Sequence, residues 1–263
     1  MNKLTIYSSI ALTALLLATG CSDTKSTKHS ESEGHHAKHW GYTADVGPSH
    51  WSELNEKFNM CSQGKQQSPI NVVATSDIEL PALNLAYTTG SKSIIDNGHT
   101  VQVNITDGSV LKIDGADYKL KQFHFHTPSE NNINGKSFPL EAHFVHATDD
   151  GKLAVVAVMF KEGAENKTLA KIWKKLPTLK ANEGKEQKCG LTSDEVKSLM
   201  PTNKDYYKFT GSLTTPPCSE QVKWHVYKTP LTVSKEQASA FTALFGHPNN
   251  RPIQDTNKRK IEE

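Results

Sequence analysis

The sequence predicts a predominantly β domain of the α+β class, a single unit with short peripheral helices. Three observations predict it: frequent turn signals, short segments that alternate polar with apolar residues, and one continuous apolar run. Ile94-Ile95 leads into Asp96-Asn97-Gly98-His99, and 100–105 then alternates as a strand with one buried face. Asp107-Gly108 follows, and 109–113 reads as the returning strand. Phe123 and Phe125 alternate with His124 and His126; 141–146 alternates again before the turn Asp149-Asp150-Gly151. The run 153–160 is apolar throughout, as in a central strand buried on both faces. Helical patterns are confined to about 169–174, 193–199 (with Ser193 as the expected cap) and 235–244.

Not all of the 263 residues belong to this unit. Lys3 precedes a short apolar stretch, 10–18, that ends in Ala18-Thr19-Gly20-Cys21. A basic start, a short apolar core and small residues at its end read residues 1–20 as a secretory signal, too short and wrongly flanked for a membrane span. The same small residues suggest lipoprotein processing, with Cys21 as the acylated N-terminus; the alternative is ordinary cleavage near residue 20. For an anchored form, Ser22 after the cysteine favours the outer membrane. Residues 21–38 carry no large apolar side chain and read as a disordered tether. His29, His35, His36 and His39 in and beside it could bind stray metal weakly, although a solvated linker is the simpler reading. The remaining 39–263 is one domain's worth of chain. Lys+Arg 30 against Asp+Glu 28 gives a net charge of +2, and no long basic stripe is present, which argues against a nucleic-acid partner. Cys21, Cys61, Cys189 and Cys218 in an exported chain predict at least one disulfide, of open connectivity.

Strand parity assembles a metal-binding pattern. With a period of two, Gln122, His124 and His126 project from one face, and Phe123 and Phe125 from the other. On the next strand Glu141, His143 and Val145 share a face, opposite Ala142, Phe144 and His146. If the two strands are antiparallel neighbours, three imidazoles converge and leave a fourth position open, which is the arrangement of a catalytic rather than a structural zinc. Gln122 and Glu141 then lie two residues from ligands on the same face, where they can hydrogen-bond the ring nitrogens that face away from the metal.

Six segments resemble the alpha-class carbonic anhydrases: Ser-Pro-Ile-Asn (68–71), Asn-Gly-His (97–99), Gln-Phe-His-Phe-His (122–126), Glu-Ala-His-Phe-Val-His (141–146), Gly-Ser-Leu-Thr-Thr-Pro-Pro-Cys (211–218) and Asn-Arg-Pro (250–252). Their order and approximate spacing match over essentially all of 39–263. Thr127-Pro128-Ser129-Glu130-Asn131 and the cysteine after Pro217 look most like the bacterial branch. The resemblance implies a large, twisted, mostly antiparallel sheet with zinc at the bottom of a conical cavity, and a lyase that hydrates carbon dioxide reversibly to bicarbonate. It implies Zn2+ on His124, His126 and His143, hydroxide attack at the metal, and a gate in which Glu130 accepts the Thr214 hydroxyl proton so that Thr214 accepts from the hydroxide. The family's apolar wall falls on Val145, Val155, Leu213, Val222 and Trp224, with Thr214 and Thr215 beside the substrate. His99 matches the proton shuttle, suited to it by an unperturbed pKa of ~6.5. Tyr42, Asn97 and Gln102 match polar positions around the shuttle's water chain. The resemblance pairs Cys61 with Cys218, leaves Cys189 free, and makes a homodimer an expectation. His146 and His225 read as structural, and Thr127 and Ala147 replace tryptophans common in animal members.

Three other readings compete: a catalytically inactive binding module on this fold, a periplasmic zinc-binding or buffering protein, and a zinc hydrolase acting on esters. The intact histidine triad argues against the first. A zinc buffer would not need the gate, shuttle and wall, and ester hydrolysis is available to the same hydroxide as a side reaction.

Overall fold

The computed structural model describes residues 39–263; the signal expected at 1–20, the tether at 21–38 and Cys21 lie outside the described residues. Two short strands, β1 (Asn71–Val72) and β2 (Asn84–Ala86), precede the hairpin expected around Gly98, made by β3 (Ser91–Asp96) and β4 (Val101–Ile105). Gly98 takes φ +84°, and Asn97 Oδ1 accepts the N–H groups of His99 and Thr100. The asparagine thus supplies the local acceptor that closes the turn. Next come β5 (Val110–Ile113), β6 (Ala116–His126), β7 (Asn132–Ile133), β8 (Leu140–Ala147) and β9 (Leu153–Glu162). The last three strands are β10 (Tyr206–Ser212), β11 (Glu220–Tyr227) and β12 (Leu231–Val233).

Ten strands form one mixed sheet along the path β10-β11-β9-β8-β6-β4-β3, with β2, β5 and β12 paired off it; β1 and β7 make a separate parallel pair. Within the large sheet, pairing is antiparallel except where β9 meets β11 and β12. The expected large, mostly antiparallel sheet is therefore present. β9 is buried from Ala154 to Phe160, with alternate residues entering two different cores. Ala154, Val156, Val158 and Phe160 pack with Phe123, Phe125 and Phe144; Val155, Ala157 and Met159 pack with Val222 and Trp224. A strand covered on both faces has no use for polar alternation.

One strand pairing differs from the sequence expectation. β5 does not return along β4: β4 pairs with β3 and with 122–124 of β6, while β5 pairs with β2 and with 116–119 of β6. The tight turn lies further on, where Asp114 (φ 51°) and Gly115 (φ 78°) both adopt the left-handed conformation that a type I′ turn requires. Asp107-Gly108 and Asp114-Gly115 carry the same local signal. β6, at 11 residues, is long enough to serve β5 with one end and β4 with the other, and that pairing decides between them.

The helices are short: α1 (Trp51–Leu54), α2 (Met60–Gln63), α3 (Lys167–Trp173), α4 (Leu176–Lys180), α5 (Ser193–Lys197) and α6 (Lys235–Phe245). The cap of α5 is Thr192, not Ser193. Thr192 Oγ1 accepts the Glu195 N–H while Glu195 Oε2 accepts the Thr192 N–H. Glu195 stands three residues after Thr192, where a reciprocal capping box needs it; Ser193 has Val196 there. Among the described residues, no helix is long and apolar enough to cross a membrane.

Two covalent and steric details shape the site side of the sheet. Cys61 and Cys218 are disulfide-bonded across 157 residues, tying α2 to the turn after β10, whereas Cys189 is free and buried. β10 lies close against β11 because residue 211 is glycine. A Cβ there would stand 2.2 Å from Ser68 Oγ and 2.9 Å from Trp224 Cδ1.

Candidate metal centre

β6 and β8 are antiparallel neighbours with His124 opposite His143, Gln122 opposite Val145 and His126 opposite Glu141. Directly opposed residues share a face, so His143 projects to the same side as His124 and His126. The ring centroids lie 5.1 Å (His124–His126), 5.4 Å (His124–His143) and 4.6 Å (His126–His143) apart. On the opposite face Phe123 and Phe144 stack at 4.9 Å, so the strands carrying the histidines are held by packed aromatic rings.

Each ring has one nitrogen engaged. His124 Nδ1 donates to Gln122 Oε1 at 2.8 Å, His126 Nδ1 to the Asn249 carbonyl at 2.8 Å, and His143 Nε2 to Glu141 Oε1 at 2.8 Å. These acceptors set the tautomers and leave His124 Nε2, His126 Nε2 and His143 Nδ1 with free lone pairs. One nitrogen from each ring lies within 4.8 Å of the others, as metal ligation requires. His126 Nε2 is buried and without a hydrogen-bond partner. Burial holds His124 and His143 well below the ordinary imidazole value, reinforced by the neighbouring rings. Burial lowers His126 as well, against the Asn249 carbonyl. All three are therefore neutral, the ligating form. The donor set suits a divalent ion with imidazole preference, such as zinc.

Glu141 is anchored by the N–H groups of Glu130 and Asn131 on Oε2 and by Asn131 Nδ2 on Oε1. Glu130 Oε1 accepts the Arg251 N–H at 2.8 Å. Its Oε2 is buried with no hydrogen-bond partner, 3.4 Å from His126 Nε2 and 3.8 Å from His143 Nδ1. Burial pushes the Glu130 carboxyl up to about 8, opposed by the Arg251 N–H and by the Thr214 side chain, which is therefore its neighbour. Burial pushes Glu141 up to about 7, opposed chiefly by Asn131. A cation among the three imidazoles would act on both carboxyls in the opposite direction and favour their charged forms.

A cavity of ≈ 120 Å³ opens onto the histidines, lined by Gln122, His124, His126, Thr215, Gln102, Thr100, Asn97, His99, Trp40 and Tyr42. Val155, Val222 and Trp224 are buried in one apolar cluster, and the half-buried Val145 and Leu213 pack against it. Trp224 stands edge-on to His143 at 4.9 Å. Gln102 Nε2 donates to Asn104 Oδ1, and Asn97 Oδ1 is taken up by its own turn. Burial holds Tyr42 well above the ordinary phenol value, so it stays protonated.

His99 differs from its expectation as an unperturbed imidazole. Its ring stacks on Trp40 at 3.6 Å, and burial, with His39 and His247, pushes it down to about 4. His146 faces away from the triad, as parity requires, and bonds the Tyr87 hydroxyl at 2.7 Å; His225 is buried beside it.

Sequence reasoning missed Asn249, Asn131 and Arg251. Asn249 supports His126 and its Oδ1 accepts the Thr127 N–H. The Arg251 guanidinium donates to Gln67 Oε1 and to the Ser68 and Cys61 carbonyls, beneath the disulfide. Asn-Arg-Pro at 250–252 marked the segment, but nothing local in it indicates which buried groups it reaches.

A large mixed sheet that gathers three neutral imidazoles, two of them lining one cavity and the third edge-on to Trp224 of an apolar cluster, defines a candidate metal-dependent enzyme. A family model described as eukaryotic-type carbonic anhydrase matches residues 46–263. A carbonic anhydrase of Pectobacterium carotovorum is 47% identical over 223 residues, spanning 85% of this chain and 90% of its own. One of Neisseria gonorrhoeae is 42% identical over 253 residues, 96% of each chain. The solved α-carbonic anhydrase of Thermovibrio ammonificans, in complex with the inhibitor sulfanilamide, matches with a TM-score of 0.81 at 41% identity, covering 86% of this chain and 99% of that one. The chain belongs to the alpha carbonic anhydrase family and is an enzyme of that family.

Proposed function

We propose that this enzyme catalyses the reversible hydration of carbon dioxide to bicarbonate and a proton, using zinc held by His124 Nε2, His126 Nε2 and His143 Nδ1. The observation that carries the reading is the convergence of three ring nitrogens within 4.8 Å while each opposite nitrogen is already bonded. Zinc there supplies the Lewis acidity that lowers the pKa of a bound water from ~15.7 to ~7, a magnitude established on carbonic anhydrases themselves rather than from this chain.

The chain's own residues supply orientation and selection. Gln122, Asn249 and Glu141 hold the rings in the tautomers that face the centre. Glu130, as a carboxylate, can only accept, so the Thr214 hydroxyl donates to it and turns an acceptor lone pair toward the cavity. A ligand lacking an O–H or N–H proton gains nothing from that contact. Val145, Val155, Leu213, Val222 and Trp224, gathered in one apolar cluster, offer carbon dioxide an apolar surface, which suits a substrate with no net dipole, and Thr215 lines the cavity with His124 and His126. Tyr42, Asn97 and Gln102 border the path from the histidines to His99.

Removing metal with a chelator is expected to abolish hydration measured by stopped flow, and one equivalent of zinc to restore it. Full activity in verified metal-free protein would overturn the reading. His99 is the proton shuttle in this account. His99→Ala should lower kcat in weak buffer by about 10-fold or more, within the ~10²–10⁴ range of a proton-transfer group. It should leave kcat/KM nearly unchanged, because attack on carbon dioxide precedes proton release. Added imidazole should restore kcat; equal loss in both constants, unrelieved by imidazole, would point to a structural His99.

The reaction is assigned to the periplasm or the extracellular space. A disulfide closing 157 residues suits an oxidising compartment, and a secretory signal at 1–20 is expected from sequence. Retention by acylation at Cys21, with the outer membrane favoured, and assembly as a homodimer complete the proposal; mass spectrometry of the mature N-terminus and light scattering check them.

A further inference from the structure

The β4–β6 ladder ends at Gln102 opposite His124, so the turn 97–100 that carries His99 extends beyond it. Two buried side chains fasten that turn to β6. Thr100 Oγ1 donates to the Phe125 carbonyl at 2.6 Å and accepts the Phe125 N–H at 3.2 Å. Asn249 Nδ2 donates to the same carbonyl at 3.0 Å and to the His99 carbonyl at 3.0 Å, while Oδ1 accepts the Thr127 N–H at 2.7 Å. Main-chain partners cannot exchange roles: the carbonyls only accept and the N–H only donates, so they fix which end of the amide is which. Asn249 is fully buried, and its own N–H and carbonyl are engaged as well, with the Thr127 carbonyl at 3.1 Å and His126 Nδ1 at 2.8 Å. Asparagine meets this demand because one short side chain must give two N–H bonds and receive one. Aspartate has no donor for the two carbonyls, and serine has a single hydrogen to give.

We propose that Asn249 is a positioning residue for proton transfer, its side-chain amide holding the main chain of His99 against the strand that carries His124 and His126. The inference rests on the shuttle reading of His99. Because the His99 carbonyl takes its hydrogen bond from Asn249 Nδ2, the amide fixes where the ring hangs relative to the three histidines. The two bonds that Asn249 makes toward the site separate chemically. Any residue at 249 supplies a main-chain carbonyl for His126, whereas only the side-chain amide holds His99. Thr100 Oγ1 acts on Phe125 and leaves the His99 carbonyl to Asn249. Transfer steps are steep in geometry: a misplacement of about 1 Å, caused by a change away from the reacting atoms, can cost up to ~10²-fold. One buried residue thus ties the shuttle turn to the metal-binding strand, and its amide is the part that serves the shuttle.

The test compares stopped-flow carbon dioxide hydration by the zinc-loaded enzyme with that of Asn249→Ser, Asn249→Asp, Thr100→Val, His99→Ala and the Asn249→Ser/His99→Ala double variant. Each is assayed in weak buffer and in strong imidazole, with zinc content and thermal midpoint measured alongside. Asn249→Ser is expected to lose about 5-fold in kcat in weak buffer, short of the ~10²–10⁴ range of a proton-transfer group itself. Its midpoint should fall, because buried main-chain groups lose their partners. Its kcat/KM and zinc content should be unchanged, imidazole should restore kcat, and no further loss should follow on the His99→Ala background. Asn249→Asp, which keeps an acceptor for the Thr127 N–H but no donor for His99, should behave alike; Thr100→Val should lose less. Unchanged kcat in Asn249→Ser, with His99→Ala impaired, overturns the positioning role and leaves the shuttle standing. A loss that extends to kcat/KM or to zinc content places the effect at His126 and also overturns it. So does an equal loss in Thr100→Val, which marks general loosening of the turn, or failure of both Asn249 variants to melt cooperatively, which assigns the residue to the fold alone. An unimpaired His99→Ala removes the shuttle, and the positioning role with it.

Discussion

Replacing His143 by Ala is expected to abolish both stoichiometric zinc binding and carbon dioxide hydration while leaving the fold largely intact. The substitution removes one of three convergent ring nitrogens. Altering a residue that merely orients a ligand typically costs 10–100-fold in metal affinity, so loss of the ligand itself should exceed that range. The strand has independent support: Phe144 packs against Phe123 from the opposite face, and β8 pairs with β6 and β9 along its length. Glu141 keeps the Glu130 and Asn131 donors after the imidazole is gone. Metal content by mass spectrometry, hydration by stopped flow and far-ultraviolet circular dichroism separate the effects. Zinc near one equivalent with full activity in His143→Ala would remove that residue from the metal site. Loss of the circular dichroism signal would show instead that the strands depend on the ring.

Reduction of the Cys61–Cys218 bond should produce the largest change in stability. Closing 157 residues removes about 5 kcal/mol of chain entropy from the unfolded state in the loop-closure account, and native disulfides typically contribute 2–5 kcal/mol. For a domain of this size that corresponds to a fall in thermal midpoint on the order of 10 °C. The site should loosen less than the fold. The turn carrying Thr214 and Thr215 is also closed by the Leu213 N–H to the Ser219 carbonyl and the Cys218 N–H to the Thr215 carbonyl. Gln67 Nε2 holds the Cys218 carbonyl as well. Melting with and without reductant, beside a Cys61→Ser/Cys218→Ser variant, measures the effect. Peptide mapping that found Cys61 free, or joined to Cys189, would contradict the bond.

Much of the site was legible because strand periodicity is local. Gln122, His124 and His126 fall on one face, and Glu141 and His143 on one face, from a period of two alone, and the structure keeps both sets. The central strand could be read from its uninterrupted apolar run. What misled was equally local: Asp107-Gly108 reads as the hairpin turn that Asp114-Gly115 makes, and Ser193 as the cap that Thr192 supplies with Glu195. The environment of His99 was not legible, because the indole and the two imidazoles around it come from positions 39–40 and 247.

By itself, then, the sequence determined the β class, the facing of the three histidines with Gln122 and Glu141, and the likeness to one family. Tertiary structure alone decided that β6 divides its pairing between β5 and β4, that the Asn249 carbonyl orients His126 across 123 residues, and that Arg251 reaches Cys61 across 190. It also decided that His39 and His247 line one cavity with His99. The division has a physical cause. Alternation is dictated by the geometry of each peptide unit and its neighbours. A buried polar group, by contrast, takes whichever partner the packed sheet brings within reach, at any distance along the chain, because leaving it unpaired costs more than most single contacts contribute.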